Sequence, residues 1–403
     1  MDEPCLGDEA SVGALEEVPI AIIVRRATHS DRPAIATFIE DAYGLRAHYK
    51  ATPRWTWQFI ENPFGRPEGD KVPVWVALDG DRVVGQIAVQ TALLDVEGRT
   101  VEAGWAVDIM ILRSHRGAGL GHKLHEAVAG EVDVLMALTM AQASRRLAER
   151  HGCITLADVN QMTRWVRLDA TSVRRYLLVR TANHRWAYVA ARFCCQVLQF
   201  HRAFPRLANP VLRLRDWMKS SRHKAQATSI VEVDFFGPEI DELWERTRGD
   251  YPVIFPRDTR FLNWRFVDCP EPRYRRFVAK RGGQTVGYVV LRRAEPVELS
   301  QGIIVDLYAS RWDKRTVDEL VRHSLTFFGD DVSSIDCGTS VAEIEGVLRT
   351  HGFFRTRAYR PTCVCSDDAL RERLAELRSD WFFSKGDHDW DQIHVADPSA
   401  VGE

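Results

Sequence analysis

Two apolar rhythms alternate along the chain. Runs of branched and aromatic residues with period two predict strands, and stripes at i, i+3 or i+4, and i+7 predict helices. In the first part these patterns predict a strand near residues 21–26, helices over 31–43 and 52–61, and a hairpin over 72–89 turning at Asp79-Gly80-Asp81. A strand over 104–112, a helix over 118–130, a strand over 132–138, a helix over 142–150 and a strand over 153–158 follow. Hairpins mixed with strand–helix–strand crossovers predict an α/β chain of the mixed α+β kind, each sheet covered by helices.

The order of elements repeats. Trp57 to Pro63 reads W-Q-F-I-E-N-P and Trp264 to Pro270 reads W-R-F-V-D-C-P, an offset of 207. A second hairpin over 275–291 turns at Gly282-Gly283, and Val286-Gly287 answers Val84-Gly85 at an offset of 202. Val305-Asp306-Leu307 answers Val107-Asp108-Ile109 at 198, and His351-Gly352 answers His151-Gly152 at 200. Four matches in one order at nearly constant separation indicate duplication of a unit of about 140 residues. The expected division is an acidic tail over 1–19, a first unit over 20–175, a basic and largely helical linker over 176–225, a second unit over 226–365, and a C-terminal helix and tail over 366–403. Both ends are expected to be loose.

Composition narrows the class. With 403 residues, 54 Lys plus Arg against 56 Asp plus Glu, and 45% hydrophobic residues, the chain suits two or more packed domains rather than a fibrous or disordered protein. The longest apolar stretch, 186–200, is interrupted by Arg192 and Gln196 and falls short of the ~18 residues a membrane span needs. An acidic start and eight Cys without paired C-x-x-C spacing predict a reduced, cytoplasmic protein. One stretch is polarised: residues 160–224 hold 14 Lys or Arg but only Asp169 and Asp216 as acids. Arg stems alternating with Trp186, Phe193, Leu198 and Phe200 predict a helix packed across both units, in preference to contact with an anionic membrane or an acidic polymer.

The most informative segment is residues 104–130, a strand, a glycine loop and a helix start. Leu120, Leu124, Ala127 and Val128 form the inward stripe of the helix. Arg116-Gly117-Ala118-Gly119-Leu120-Gly121 leaves main-chain N–H groups unobstructed where a helix begins and partial positive charge favours a phosphate. Neither Gly-Lys-Ser/Thr nor G-x-G-x-x-G occurs there, which argues against a P-loop nucleotide and a dinucleotide.

This loop resembles that of the GNAT acyl-CoA-dependent N-acetyltransferases, Q/R-x-x-G-x-G/A, with Arg116, Gly119 and Gly121 at its fixed positions. The resemblance implies two tandem GNAT-like domains, each a mixed twisted sheet flanked by helices. It implies acetyl-CoA or another acyl-CoA as cosubstrate, its pantetheine arm held by Ile109, Met110 and Ile111 and its pyrophosphate by Arg116, Gly117, Ala118, Gly119, Leu120, Gly121 and His122. The second unit has Arg311, Asp313, Lys314 and Arg315 where these glycines stand, so it is expected to be degenerate.

Acyl transfer needs a neutral amine, and an alkylamine of pKa ~10.4 is only about one part in 10³ neutral at pH 7. Asp108 is the first candidate for the base that removes its proton, and Glu102 the second. Many family members place a Tyr as general acid where this chain has Ala148, and the duplicate has Leu348. His115, His122 and His125 lack a carboxylate or Cys at ligand spacing, so no metal is expected. The leading expectation is an N-acyltransferase acting on a small-molecule or peptide amine. The alternatives are a non-catalytic binding or assembly protein, motivated by the missing Tyr, and an aminoacyl-tRNA-dependent transferase, motivated by the basic stretch. The intact loop argues against a nucleic-acid partner.

Overall fold

The structure, a computed structural model, describes residues 22–391 except 45–46, 48–49, 51–52, 66–67, 139–151, 182–183, 221–227 and 295–299. β1 (Ile23–Thr28) leads into α1 (Arg32–Tyr43) and α2 (Arg54–Phe59), followed by β2 (Lys71–Asp79), β3 (Arg82–Val96) and β4 (Arg99–Ile111). α3 (Leu120–Val128), β5 (Val134–Ala137), β6 (Ile154–Thr155) and β7 (Val159–Trp165) come next, then the helices α4 (Ala170–Thr181), α5 (Arg185–Gln196) and α6 (Phe200–Ser220). The second half runs β8 (Thr228–Val233), α7 (Glu239–Thr247), β9 (Val253–Ile254), α8 (Thr259–Phe266), β10 (Arg275–Arg281), β11 (Gln284–Arg293) and β12 (Gln301–Ala309). It ends with α9 (Lys314–Phe328), β13 (Ser334–Thr339), α10 (Ala342–Thr350), β14 (Phe354–Tyr359), β15 (Thr362–Cys365), α11 (Asp368–Glu376) and β16 (Trp381–Phe382).

Both predicted hairpins form, with Gly80, Gly282 and Gly283 at positive φ in their turns. A third turn at Glu97-Gly98 joins β3 to β4. The polar run around it hid the first residues of β4 from the apolar pattern. The helix expected over 142–150 lies outside the described residues.

Two mixed sheets carry the fold, and they do not part where the sequence division at 175 places the boundary. The first has the order β1-β2-β3-β4-β5-β15-β6 and the second β14-β7-β13-β12-β11-β10-β8. The units have therefore exchanged a strand. β7, from the first half, lies between β13 and β14, and β15, from the second, lies between β5 and β6. Periodicity identifies a strand but not the sheet that receives it.

The repeated tryptophans meet on the axis of this exchange. Trp57 and Trp264 stack with ring centroids 4.8 Å apart, and each indole N–H donates to the other's carbonyl, at 2.9 and 3.2 Å. Residues at the same place in each copy thus touch one another, as in an isologous interface.

The C-terminal tail, expected to be loose, is a buried strap. Every residue from Trp381 to Asp391 is buried. β16 pairs in parallel with β9, which also pairs with β3, so the strap is stitched to both halves. Its charges find partners inside: Arg265 donates to the Gly386 and His388 carbonyls and pairs with Asp391 at 2.5 Å, while Arg257 pairs with Asp387 at 2.6 Å. Alternating aspartates gave the segment a solvated look in the sequence, and only the arginines of a distant region make it a core element.

Candidate functional site

The site begins with an irregularity in β4. Gln86 faces Met110 and Ala88 faces Val107, so Asp108 and Ile109 together oppose Ile87 in a β-bulge. Asp108 takes φ +55°, a left-handed conformation that costs a non-glycine residue on the order of 1 kcal/mol. On its other edge β4 pairs in parallel with β5 only from Ala103 to Trp105. Among the described residues no strand continues that ladder, which leaves the edge of β4 from Ala106 to Ile111 open at a fork.

Just beyond β4 lies the glycine loop. Gly117 and Gly119 have φ of +90° and +73°, and Gly119 is the N-cap of α3. A side chain at either would be strained by the backbone, while the space around both is open. Among the described residues no backbone acceptor takes the amides of residues 117–121, and residues 116–119 are exposed. Arg116 is tethered by its Nε to the Ile111 carbonyl at 3.1 Å, and Leu120 anchors the helix in the core. Ala118 sits at the loop tip, Gly121 in the first turn of α3, and His122 pairs with Glu126 at 3.1 Å. The second expected group stands on the open strand, with Ile109 40% exposed and Met110 and Ile111 half-buried.

The two carboxylates read as candidate bases are not brought together. Glu102 lies six residues before Asp108 on the same strand, roughly 20 Å along an extended chain. It lines a different cavity of about 370 Å³, with Arg26, Glu68 and Glu131. The Asp108 side chain is buried and its carboxylate lies 2.6 Å from the Lys50 ammonium, which also meets Asp389 of the strap at 3.0 Å. Arg54 reaches the same Asp389 oxygen at 3.3 Å. Burial works against the Lys50 charge, but Asp108 and Asp389 outweigh it and raise its pKa. Burial likewise opposes the Asp389 charge, and Lys50, His388 and Arg54 hold its carboxyl well below the usual range. Asp108 thus already serves a buried ion pair that fixes the bulge.

Sequence reading missed the strap's contribution here. His388 packs edge-on against Trp105, with centroids 4.8 Å apart, at the last β4 residue paired with β5. Its Nδ1 lies 2.7 Å from Asp389. An imidazole beside a carboxylate at the fork could have been suspected only from the pattern D-H-D in Asp387-His388-Asp389, which has no fixed meaning by itself. Position 148, where the general acid was sought, lies outside the described residues, and Leu348 is a core residue of α10. His115 pairs with Asp79 at 3.1 Å.

The second half closes the equivalent places. Asp313 caps α9, accepting from the Thr316 amide at 3.0 Å, and Arg281 holds the same carboxylate at 3.0 Å. At the fork of β12 and β13, whose parallel pairing ends at Ile304 and Cys337, the strap is inserted. A Cβ on Gly386 would come within 2.8 Å of the Phe266 ring and 3.2 Å of Asp306. Arg257 stands 207 residues after Lys50 and pairs with Asp306, the counterpart of Asp108, at 3.2 Å.

Residues 23–153 match the acetyltransferase (GNAT) domain family. No curated protein matches the chain. Among solved structures, a probable N-acyltransferase of Enterococcus faecalis is 10% identical with a TM-score of 0.54, over 86% of this chain and 72% of that one. A GCN5-related N-acetyltransferase of Anabaena variabilis is 11% identical at 0.53, over 86% and 73%. One from Kribbella flavida is 10% identical at 0.52, over 88% and 73%. At such identities these likenesses speak for the fold, and the family match speaks for the first half: the chain carries an acetyltransferase (GNAT) domain over residues 23–153.

Proposed function

We propose that the protein transfers an acyl group from acetyl-CoA, or another acyl-CoA, to an amine, with the cosubstrate bound by the first half. The observation that carries this reading is the coincidence of two main-chain surfaces that no strand or backbone acceptor covers among the described residues: the edge of β4 at residues 109–111, where the Ile111 carbonyl accepts from Arg116, and the amides at the start of α3. Amide groups on an open strand edge suit the two amides of a pantetheine arm, and unpaired N–H groups at a helix N-terminus suit its diphosphate. Bound acyl-CoA would supply the thioester, and the remaining work falls to this chain. Arg116 adds a cation beside the diphosphate. His388, whose Nδ1 lies 2.7 Å from Asp389, takes the proton of the acceptor amine at the fork, a role that replaces the one expected of Asp108. Lys50 and Asp108 keep the bulge, and therefore the fork, in place. The acceptor is a small molecule or peptide amine in a cytoplasmic setting, and no metal takes part.

At about 100 times its dissociation constant acetyl-CoA should stabilise the fold by ~2.7 kcal/mol, several degrees of melting temperature for a cooperative unit of this size. Gly119→Glu should abolish that shift, and a shift of equal size in the variant would refute the loop assignment. His388→Gln should lower turnover by about 10²-fold or more with the acetyl-CoA shift intact. If turnover falls instead only in Asp108→Asn, the base is Asp108. Binding of acetyl-CoA with no thiol released over a panel of amines would mark a binding protein.

A further inference from the structure

The helices between the two halves form a platform whose outer face is apolar. It is anchored as a folded element should be: Ala191 and Cys195 of α5 and Pro205 of α6 are buried, and the Asn209 side chain bridges the Leu168 amide and carbonyl at 2.7 and 2.9 Å. The sequence led us to expect the large apolar residues to pack across both units. They point outward instead. On α5, Trp186, Val189, Phe193 and Val197 lie at i, i+3, i+7 and i+11, one helical face, and are 53–83% exposed. On α6, Phe200, Phe204, Leu207, Val211 and Leu214 repeat that spacing at 38–76% exposure. Leu198 between the helices is 62% exposed, so the two stripes join.

We propose that this face of α5 and α6 lies on the surface of an anionic lipid bilayer. Charge decides the occupant. Residues 184–220 contain seven Lys or Arg and a single acid, Asp216. Arg192 and Arg206 are exposed and flank the apolar stripes at the helical period, where guanidinium groups reach phosphate headgroups while the stripes enter the acyl boundary. A second copy of the chain would cover the stripes equally well but would bring these like charges face to face. No helix among the described residues is long and apolar enough to cross a membrane, so the helices lie along the surface. This assignment is independent of the acyltransferase reading.

The test is flotation of the whole chain with vesicles of phosphatidylcholine alone or with about a third phosphatidylserine, where each basic residue near the surface adds roughly fivefold to binding. Binding should be at least about tenfold stronger to the anionic vesicles and should fall as salt is raised. Phe193→Ser with Leu207→Ser, and Arg192→Glu with Arg206→Glu, should each weaken it about tenfold or more with the melting temperature unchanged, because all four side chains are exposed. Failure to float, equal binding to both vesicles, or variants that bind like the parent would overturn the proposal. So would a dimer that dissociates in the Phe193/Leu207 variant without vesicle binding, or salt-reversible binding to an acidic polymer alone.

Discussion

The helix that follows the glycine loop and its duplicate start in opposite ways. α3 begins at a left-handed glycine in open space with its first amides unclaimed, whereas α9 begins at Asp313, whose carboxylate accepts the Thr316 amide and holds Arg281. The same positive end of a helix dipole is left for a guest in one half and satisfied from within in the other. The forks differ in the same sense. Among the described residues no strand covers the edge of β4 beyond Trp105, and beside β12 the strap fills the gap with Gly386 pressed against Asp306 and Phe266.

Removing residues 377–403 should break this comparison most severely. It strips Asp387, Asp389 and Asp391 from Arg257, Lys50, Arg54, Arg265 and Arg292, and breaking a single buried pair costs about 3–5 kcal/mol. Loss of a cooperative thermal transition by circular dichroism is the expected result for both halves at once. Next in size, Trp57→Ala and Trp264→Ala should each cost about 3–5 kcal/mol in denaturant melts. Because the two rings stack on one another, the double variant should cost less than the sum, and strict additivity would contradict the shared contact. Asp313→Ala should cost about 1 kcal/mol for the lost cap and should leave the acetyl-CoA melting shift unchanged. A larger shift in that variant would mean that the second fork takes cosubstrate after all.

The smallest effect is one of pH. Burial and the neighbouring Asp306 push Asp387 up to about 6 against the pull of Arg257. A raised carboxyl favours the protonated folded state, so its cost is present above pH 6 and is relieved as pH falls through 6. Asp389 is depressed, so its contribution is present above the unfolded value near 4 and is lost as pH falls below it. Stability should therefore peak between about pH 4 and 6, and Asp387→Asn should flatten the decline on the upper side. A melting temperature that climbs steadily from pH 5 to 7 would show the sign to be wrong.

Both hairpins and the turn of the glycine loop were legible because each depends on local pattern: alternation, a turn dipeptide, or glycines that must take positive φ. Even the offset of 207 between Trp57 and Trp264 pointed to symmetry, though not to the stacking of the two rings. What escaped depends on pairing across the chain. β7 and β15 look alike to any periodicity, and their exchange is decided by which sheet presents a free edge. The Asp-rich strap looked solvated because its arginine and lysine partners lie up to 339 residues away. Asp108 was seen as an acid on a strand, while Lys50, which occupies it, carried no signal of its own. The apolar stripes of α5 and α6 were noticed, but amphipathic spacing does not say whether protein or solvent faces the stripe.

The exchange of β7 and β15 also sets a timetable. Val134 to Ala137 wait for Cys365 to Thr362, so the first sheet has no neighbour for β5 on that side until more than two hundred further residues have been synthesised. Folding on the ribosome ordinarily proceeds from the N-terminus, domain by domain. Here the half that carries the glycine loop must stay unfinished, with a bare edge exposed to chaperones and to other nascent chains, until its partner half emerges. The first sheet is thereby completed only once residues 362–365 have been made.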